Sequence, residues 1–265
     1  MTPWSLDRYR AELLAQTGLL RALVRDADPA APVPTCPAWN LGQLLRHVGG
    51  AHRWVETIVR TRATGPVPHD LVDEVFHYGD HDMAALDTWL DEGARQLSDA
   101  LDRAGPDARV WTVVPGRPLA FWARRMLHET VVHRADAARS TGARYEVDAA
   151  VARDGLDEWM ANATVPEAYD TATGPPLLGA GRTLCFRATD DPAGRWLVDL
   201  TGTTPVWHRV ADDAAVGDAA VTVDSPLADL LLLVYGRPVD GRVDVHGERA
   251  LLGLWLERTG FWLRE

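Results

Sequence analysis

The hydrophobic pattern of this chain changes period part-way along, which rules out an all-helical or an all-strand fold. Over the first half, apolar residues recur at helical spacing in stretches of about twenty residues. Leu6, Leu13, Leu14, Leu20 and Val24 mark a helix from Ser5 to Asp26. Asn40 is placed to cap a second helix running to about Arg62. A third runs from about His81 to Ala104, where Gly105-Pro106 ends it. A fourth runs from about Pro118 to Ser140 and is closed by Thr141-Gly142. One further helix is expected from Asp148 to Asn162. The connections at 29–37 and 64–80 read as loops. Beyond the Gly-, Pro- and Thr-rich stretch 169–181 the pattern alternates instead, in Thr183-Leu184-Cys185-Phe186-Arg187, in Arg195-Trp196-Leu197-Val198-Asp199-Leu200, in part of Val206-Trp207-His208-Arg209-Val210, and in Ala220-Val221-Thr222-Val223. Asp190-Asp191-Pro192-Ala193-Gly194 predicts a hairpin turn between the first two strands. Ser225-Pro226 reads as the N-cap and first residue of a helix ending at Gly236. A short strand at Val243-Asp244-Val245 and a helix from Glu248 to Arg258 follow. The fold class is therefore α+β: a four-helix bundle over 1–168 and a small α+β domain with a mainly antiparallel sheet over 178–265.

Composition narrows the function. With 265 residues, 46% hydrophobic and 25% charged, the chain can bury a substantial core. A formal charge of −11 argues against nucleic acid or an anionic membrane as the main partner. There is no lysine, which excludes Schiff-base and lysine-base chemistry. The two cysteines, Cys36 and Cys185, form no C-x-x-C pair, as expected of a reduced cytoplasmic protein. The start of the chain does not read as a signal peptide, and the longest apolar block, Leu230 to Tyr235, is too short to span a bilayer.

One pattern carries chemistry. In Arg125-Met126-Leu127-His128-Glu129-Thr130-Val131-Val132-His133, Glu129 and His133 are four residues apart. Four helical residues turn about 400°, so these side chains lie one above the other and can grip one ion. His128 and His133 resemble the H-E-x-x-H zinc motif with one residue too many; five residues turn about 500°, and the two imidazoles diverge. His47, on the apolar stripe of Leu44, Ala51 and Trp54, supplies the best third ligand. Taken alone, His47 reads as a hydrogen-bonded core histidine, and Glu129–His133 as an ordinary helical pair. Together they point to a metal, because a buried carboxylate needs a cation and helical bundles are recurrent hosts for such centres. Two imidazoles and a carboxylate suit Zn²⁺ with an open fourth position, and also Fe²⁺ or Ni²⁺. Asp136 reads as a solvated helix residue, with a ligand-orienting role as the alternative. Asp80-His81-Asp82 reads as a cap of the third helix, Trp39 as a packing residue ahead of the second, and Cys36 as an inert packed thiol. Gly179-Ala180-Gly181 precedes a strand rather than a helix and does not make a phosphate loop.

Cys36-Pro37-Ala38-Trp39-Asn40, Leu44-Leu45-Arg46-His47-Val48-Gly49-Gly50 and Arg125 through Asp136 resemble the mycothiol-dependent maleylpyruvate isomerase family, a branch of the DinB-like metal-binding bundles. Leu230 through Pro238 and Val245-His246-Gly247-Glu248 resemble that family's C-terminal, sterol-carrier-like domain. The resemblance implies His47, Glu129 and His133 as a zinc triad and mycothiol as the thiol cofactor. It also implies an arginine of the C-terminal domain near the active site; we map it onto Arg237, with Arg182, Arg209 and Arg242 as rivals. The expected function is that of a metal-dependent, mycothiol-using S-transferase or cis–trans isomerase of a small electrophilic, carboxylated metabolite. The alternatives are a metal-dependent hydrolase of a small amide or ester, and a non-catalytic protein that binds a small ligand.

Overall fold

The computed structural model describes residues 4–73, 82–170, 174–211, 219–239 and 241–260. Two compact units divide the chain between Tyr145 and Glu146.

The first unit is built on four long helices: α1 (Leu6–Val24), α2 (Leu41–Thr61), α4 (Met83–Ala104) and α5 (Ala120–Thr141). A single turn, α3 (Asp70–Asp73), interrupts the loop expected between the second and third. The long helices pack in a ring, α1 on α5, α5 on α2, α2 on α4 and α4 on α1. Their ends follow the local chemistry of the sequence. Ser5 accepts from the Arg8 amide at the start of α1. Asn40 accepts from the Gln43 amide while the Gln43 side chain accepts from the Asn40 amide, a reciprocal pair that satisfies two otherwise orphaned donors. Asp82 takes the amides of Ala84 and Ala85 at the start of α4; Asp80 and His81, expected to share this role, lie outside the described residues. At the end of α5, Gly142 adopts φ 68° and returns its amide to Ala138.

Leu20, Val24, Val33, Leu41, Leu44, Leu45, Val48, Leu86 and Leu90 make a buried apolar cluster, against which Cys36 and Trp39 of the α1–α2 connection also pack. Each such leucine contributes about 1.5–3 kcal/mol of transfer free energy. Helix α5 is different, because it buries polar residues on several faces: His128, Thr130, His133, Arg134 and Asp136 are all at most 6% exposed. Burying these groups costs free energy unless each is paired, so the placement marks α5 as the element that carries the site.

The second unit holds α6 (Ala149–Asn162), α7 (Pro166–Tyr169), β1 (Thr183–Ala188), β2 (Arg195–Asp199), β3 (Val206–Arg209), β4 (Val221–Ser225), α8 (Leu227–Val234), β5 (Asp244–Gly247) and α9 (Arg249–Thr259). The sheet order is β3-β2-β1-β4-β5. Every neighbouring pair is antiparallel except β1 with β4. Leu184, Phe186, Trp196, Val198, Val221 and Val223 form its buried face. The expected hairpin is present, with Thr183 opposite Asp199 and Arg187 opposite Arg195.

Two features differ from the sequence reading. Helix α6, expected with the bundle in 1–168, belongs to the second compact unit and packs on α8. Its Asp157 accepts from the Trp196 indole at 2.8 Å and from the Arg209 guanidinium at 2.8 and 3.0 Å, which ties the helix to the sheet. Ser225 does not cap α8. It is the last residue of β4 and fully buried, and the helix starts at Leu227, whose amide donates to Asp190 at 2.8 Å.

Candidate metal centre

Helices α2 and α5 lie side by side and bring three predicted residues to one point. His47 Nε2 lies 3.1 Å from Glu129 Oε1, and His133 Nε2 lies 3.0 Å from the same oxygen. The ligand atoms of His47, Glu129 and His133 all fall within 4.8 Å of one another. The two imidazoles stand edge to face, with ring centres 4.9 Å apart. His128 is fully buried elsewhere on α5 and joins no such set, as its spacing requires.

Each imidazole is fixed through its other nitrogen. His47 Nδ1 faces the Val72 carbonyl at 3.2 Å, and His133 Nδ1 faces Asp136 Oδ2 at 2.8 Å. With an ion bound, a proton on each Nδ1 would satisfy these acceptors and turn both Nε2 lone pairs to the shared point. That is the arrangement in which carbonyls and carboxylates orient metal-ligating histidines. Asp136 is therefore not the solvated residue expected from sequence. It is fully buried and positions His133.

Two further residues belong to the site and were not assigned to it from sequence. The Trp39 ring lies 4.7 Å from that of His47 and 6.2 Å from that of His133, walling both imidazoles. Arg125 Nη2 lies 3.5 Å from Glu129 Oε2 and steadies the second carboxylate oxygen. Trp39 stands in a motif that the sequence singles out, where it reads as a packing residue, and Arg125 precedes Glu129 by one helical turn. Glu129 keeps 24% of its side-chain surface exposed, against 3% for His47 and 8% for His133, so the site opens on the Glu129 side.

The electrostatics fit a site built for positive charge. Burial opposes ionisation of Glu129, but the His133 charge, hydrogen bonds from both imidazoles and Arg125 hold its carboxyl well below the usual range. Burial likewise disfavours the His133 imidazolium, yet the Glu129 and Asp136 carboxylates raise its pKa to about 9. A proton thus takes the place of a cation. Two imidazole nitrogens and one carboxylate oxygen are the donors of zinc centres that keep an open position, and the residues present fit such an ion.

Residues 10–138 match the family described as mycothiol maleylpyruvate isomerase N-terminal domain. The match falls within the first unit. Two solved structures resemble the fold over 94% of this chain and 97% of theirs, at 19% identity. One is the mycothiol-dependent maleylpyruvate isomerase, with a TM-score of 0.63. The other is a histidine-to-alanine mutant of the mycothiol-dependent maleylpyruvate isomerase, with a TM-score of 0.62. No curated protein sequence matches. The matched stretch contains all three donors of the centre. No helix among the described residues is long and apolar enough to cross a membrane.

The predicted arginine, Arg237, lies in the second unit just after α8, half-buried, and donates Nη1 to the Tyr235 carbonyl at 2.9 Å. Its rivals have other work: Arg209 grips Asp157, Arg242 pairs with Asp244 at the surface, and Arg182 donates to the carbonyls of Pro176 and Leu177.

Proposed function

We propose that the protein is a metal-assisted, mycothiol-using enzyme that isomerises or S-conjugates a small, electrophilic, carboxylated alkene. The convergence of His47, Glu129 and His133, with both Nδ1 atoms held by acceptors, carries this reading. A divalent cation held by these three residues supplies Lewis acidity that makes an incoming thiol ionise at neutral pH. Zn²⁺ is the ion we favour; Fe²⁺ and Ni²⁺ suit the same donors.

The remaining roles fall to the chain's own groups. Asp136 keeps the His133 proton on Nδ1, so that Nε2 faces the site as a lone pair. Arg125 holds Glu129 in place, and Trp39 covers the two imidazoles and limits water on that side. The thiolate adds to the activated double bond, forming a C–S bond as the π bond opens. Rotation about the resulting single bond and expulsion of the thiolate restore the alkene with the other geometry. If the carbanion formed by the addition instead takes up a proton from solvent before release, the outcome is S-transfer. We assign grip of the substrate carboxylate to Arg237, whose planar guanidinium suits bidentate recognition.

Metal analysis of the purified protein together with thiol-dependent turnover tests this. The reading expects about one metal per chain, its loss in His47→Ala and Glu129→Ala, its retention in His128→Ala, and turnover only with the thiol present. Stoichiometric metal in His47→Ala discards the ligand assignment. Turnover without thiol points to hydrolysis instead.

A further inference from the structure

A second set of donors lies on the opposite edge of the His133 ring. Cys36 Sγ lies 3.8 Å from Asp136 Oδ2, the same oxygen that His133 Nδ1 faces at 2.8 Å. One ligand atom from each of Cys36, His133 and Asp136 falls within 4.8 Å of the others. The thiol is not there by accident of a loose loop. Val33 donates its amide to the Trp39 carbonyl, Cys36 to Val33 and Trp39 to Cys36, while Pro32 bridges Asn40. Asp136 is wholly buried, His133 is 8% exposed at its side chain, and Cys36 is half-buried. Three rigidly held donors of mixed hardness, sulfur, nitrogen and oxygen, thus surround one small volume.

We infer that Cys36, Asp136 and His133 Nδ1 form a second, thiolate-containing site for a thiophilic divalent cation. Sulfur selects for ions such as Zn²⁺ and Cd²⁺ over Mg²⁺ or Ca²⁺. The ion replaces two protons, one from the Cys36 sulfhydryl and one from His133 Nδ1, and both go to solvent. His133 then bridges the two sites. The second ion binds more weakly than the first, because the bridging imidazole must give up its remaining proton. A cation there withdraws electron density from His133 and weakens it as a ligand of the first site, so excess thiophilic metal inhibits the enzyme.

Cadmium titration of the full-length protein, followed by equilibrium dialysis and ultraviolet absorption, tests this. The expected result is a first equivalent without a thiolate-to-cadmium charge-transfer band and a weaker second equivalent with one. Cys36→Ser keeps the first equivalent and loses the band, and Cys185→Ala keeps both. A band that survives in Cys36→Ser, no band at all, or a band arriving with the first equivalent overturns the second site. The inference takes the first site from the function proposed above, and the two fail separately. If Glu129→Gln leaves the first, band-free equivalent intact, the catalytic assignment falls whatever Cys36→Ser does.

Discussion

At the scale of single residues, the site depends on groups that never face a ligand. Asp136 fixes the tautomer and orientation of His133 from a fully buried position. Asp136→Asn preserves the shape but can no longer accept as an anion, and it should weaken metal affinity by about 10–100-fold in competition with a chromophoric chelator. His52, on the same helix as His47, makes a different kind of contribution. Burial, aided by the Arg53 charge, pushes its pKa down to about 3, and its Nε2–H donates to Thr130 Oγ1 at 2.9 Å. Because the folded-state value lies below the ordinary one, its stabilising effect is complete above about pH 6.5 and is lost as the pH falls from there towards 3, the unfolded chain taking up the proton first. Between pH 7 and pH 5 this amounts to about 2 kcal/mol. Chemical denaturation of His52→Gln at the two pH values should show a correspondingly smaller difference than the wild type.

At the scale of elements, α2 and α4 touch through glycine. A β-carbon at Gly49 would run into the Trp89 indole, which donates to the Arg46 carbonyl, and one at Gly93 would meet the Arg53 guanidinium at 2.5 Å. Gly49→Val should therefore destabilise the protein by about 1–3 kcal/mol in denaturant unfolding. Gly18, facing open space on α1, serves as the tolerant control. The long helices were legible because their caps are local: Ser5, Asn40, Asp148 and Gly142 each act within three or four residues of their own position. The start of α8 was not legible, because its cap, Asp190, sits far back in the chain and only the sheet brings it close. The site divides in the same way. Glu129 and His133 could be read from one helix turn and His47 from its apolar stripe. The burial of Asp136, the reach of Arg125 and the wall made by Trp39 depend on packing between segments, which no local spacing encodes.

At the scale of the whole molecule, the three donors fall in one unit, and two of the four long helices supply them all. Metal in hundred-fold excess over its dissociation constant stabilises the state that binds it by about 2.7 kcal/mol. Hydrogen exchange of the full chain with and without a chelator should show the largest gain in exchange along α2 and α5, with β1–β5 little changed. A uniform gain over both units would contradict a site confined to the first. The sheet has its own consequence. Its central strand, β1, finds one neighbour immediately through a tight turn, but its other, parallel neighbour only after β2 and β3 have been laid down. During synthesis, β1 therefore emerges with an open flank of unpaired backbone groups that can join foreign strands until β4 leaves the ribosome. The span between Ala188 and Val221 is thus where a nascent chain is most exposed to aggregation, and where a chaperone would shield it best.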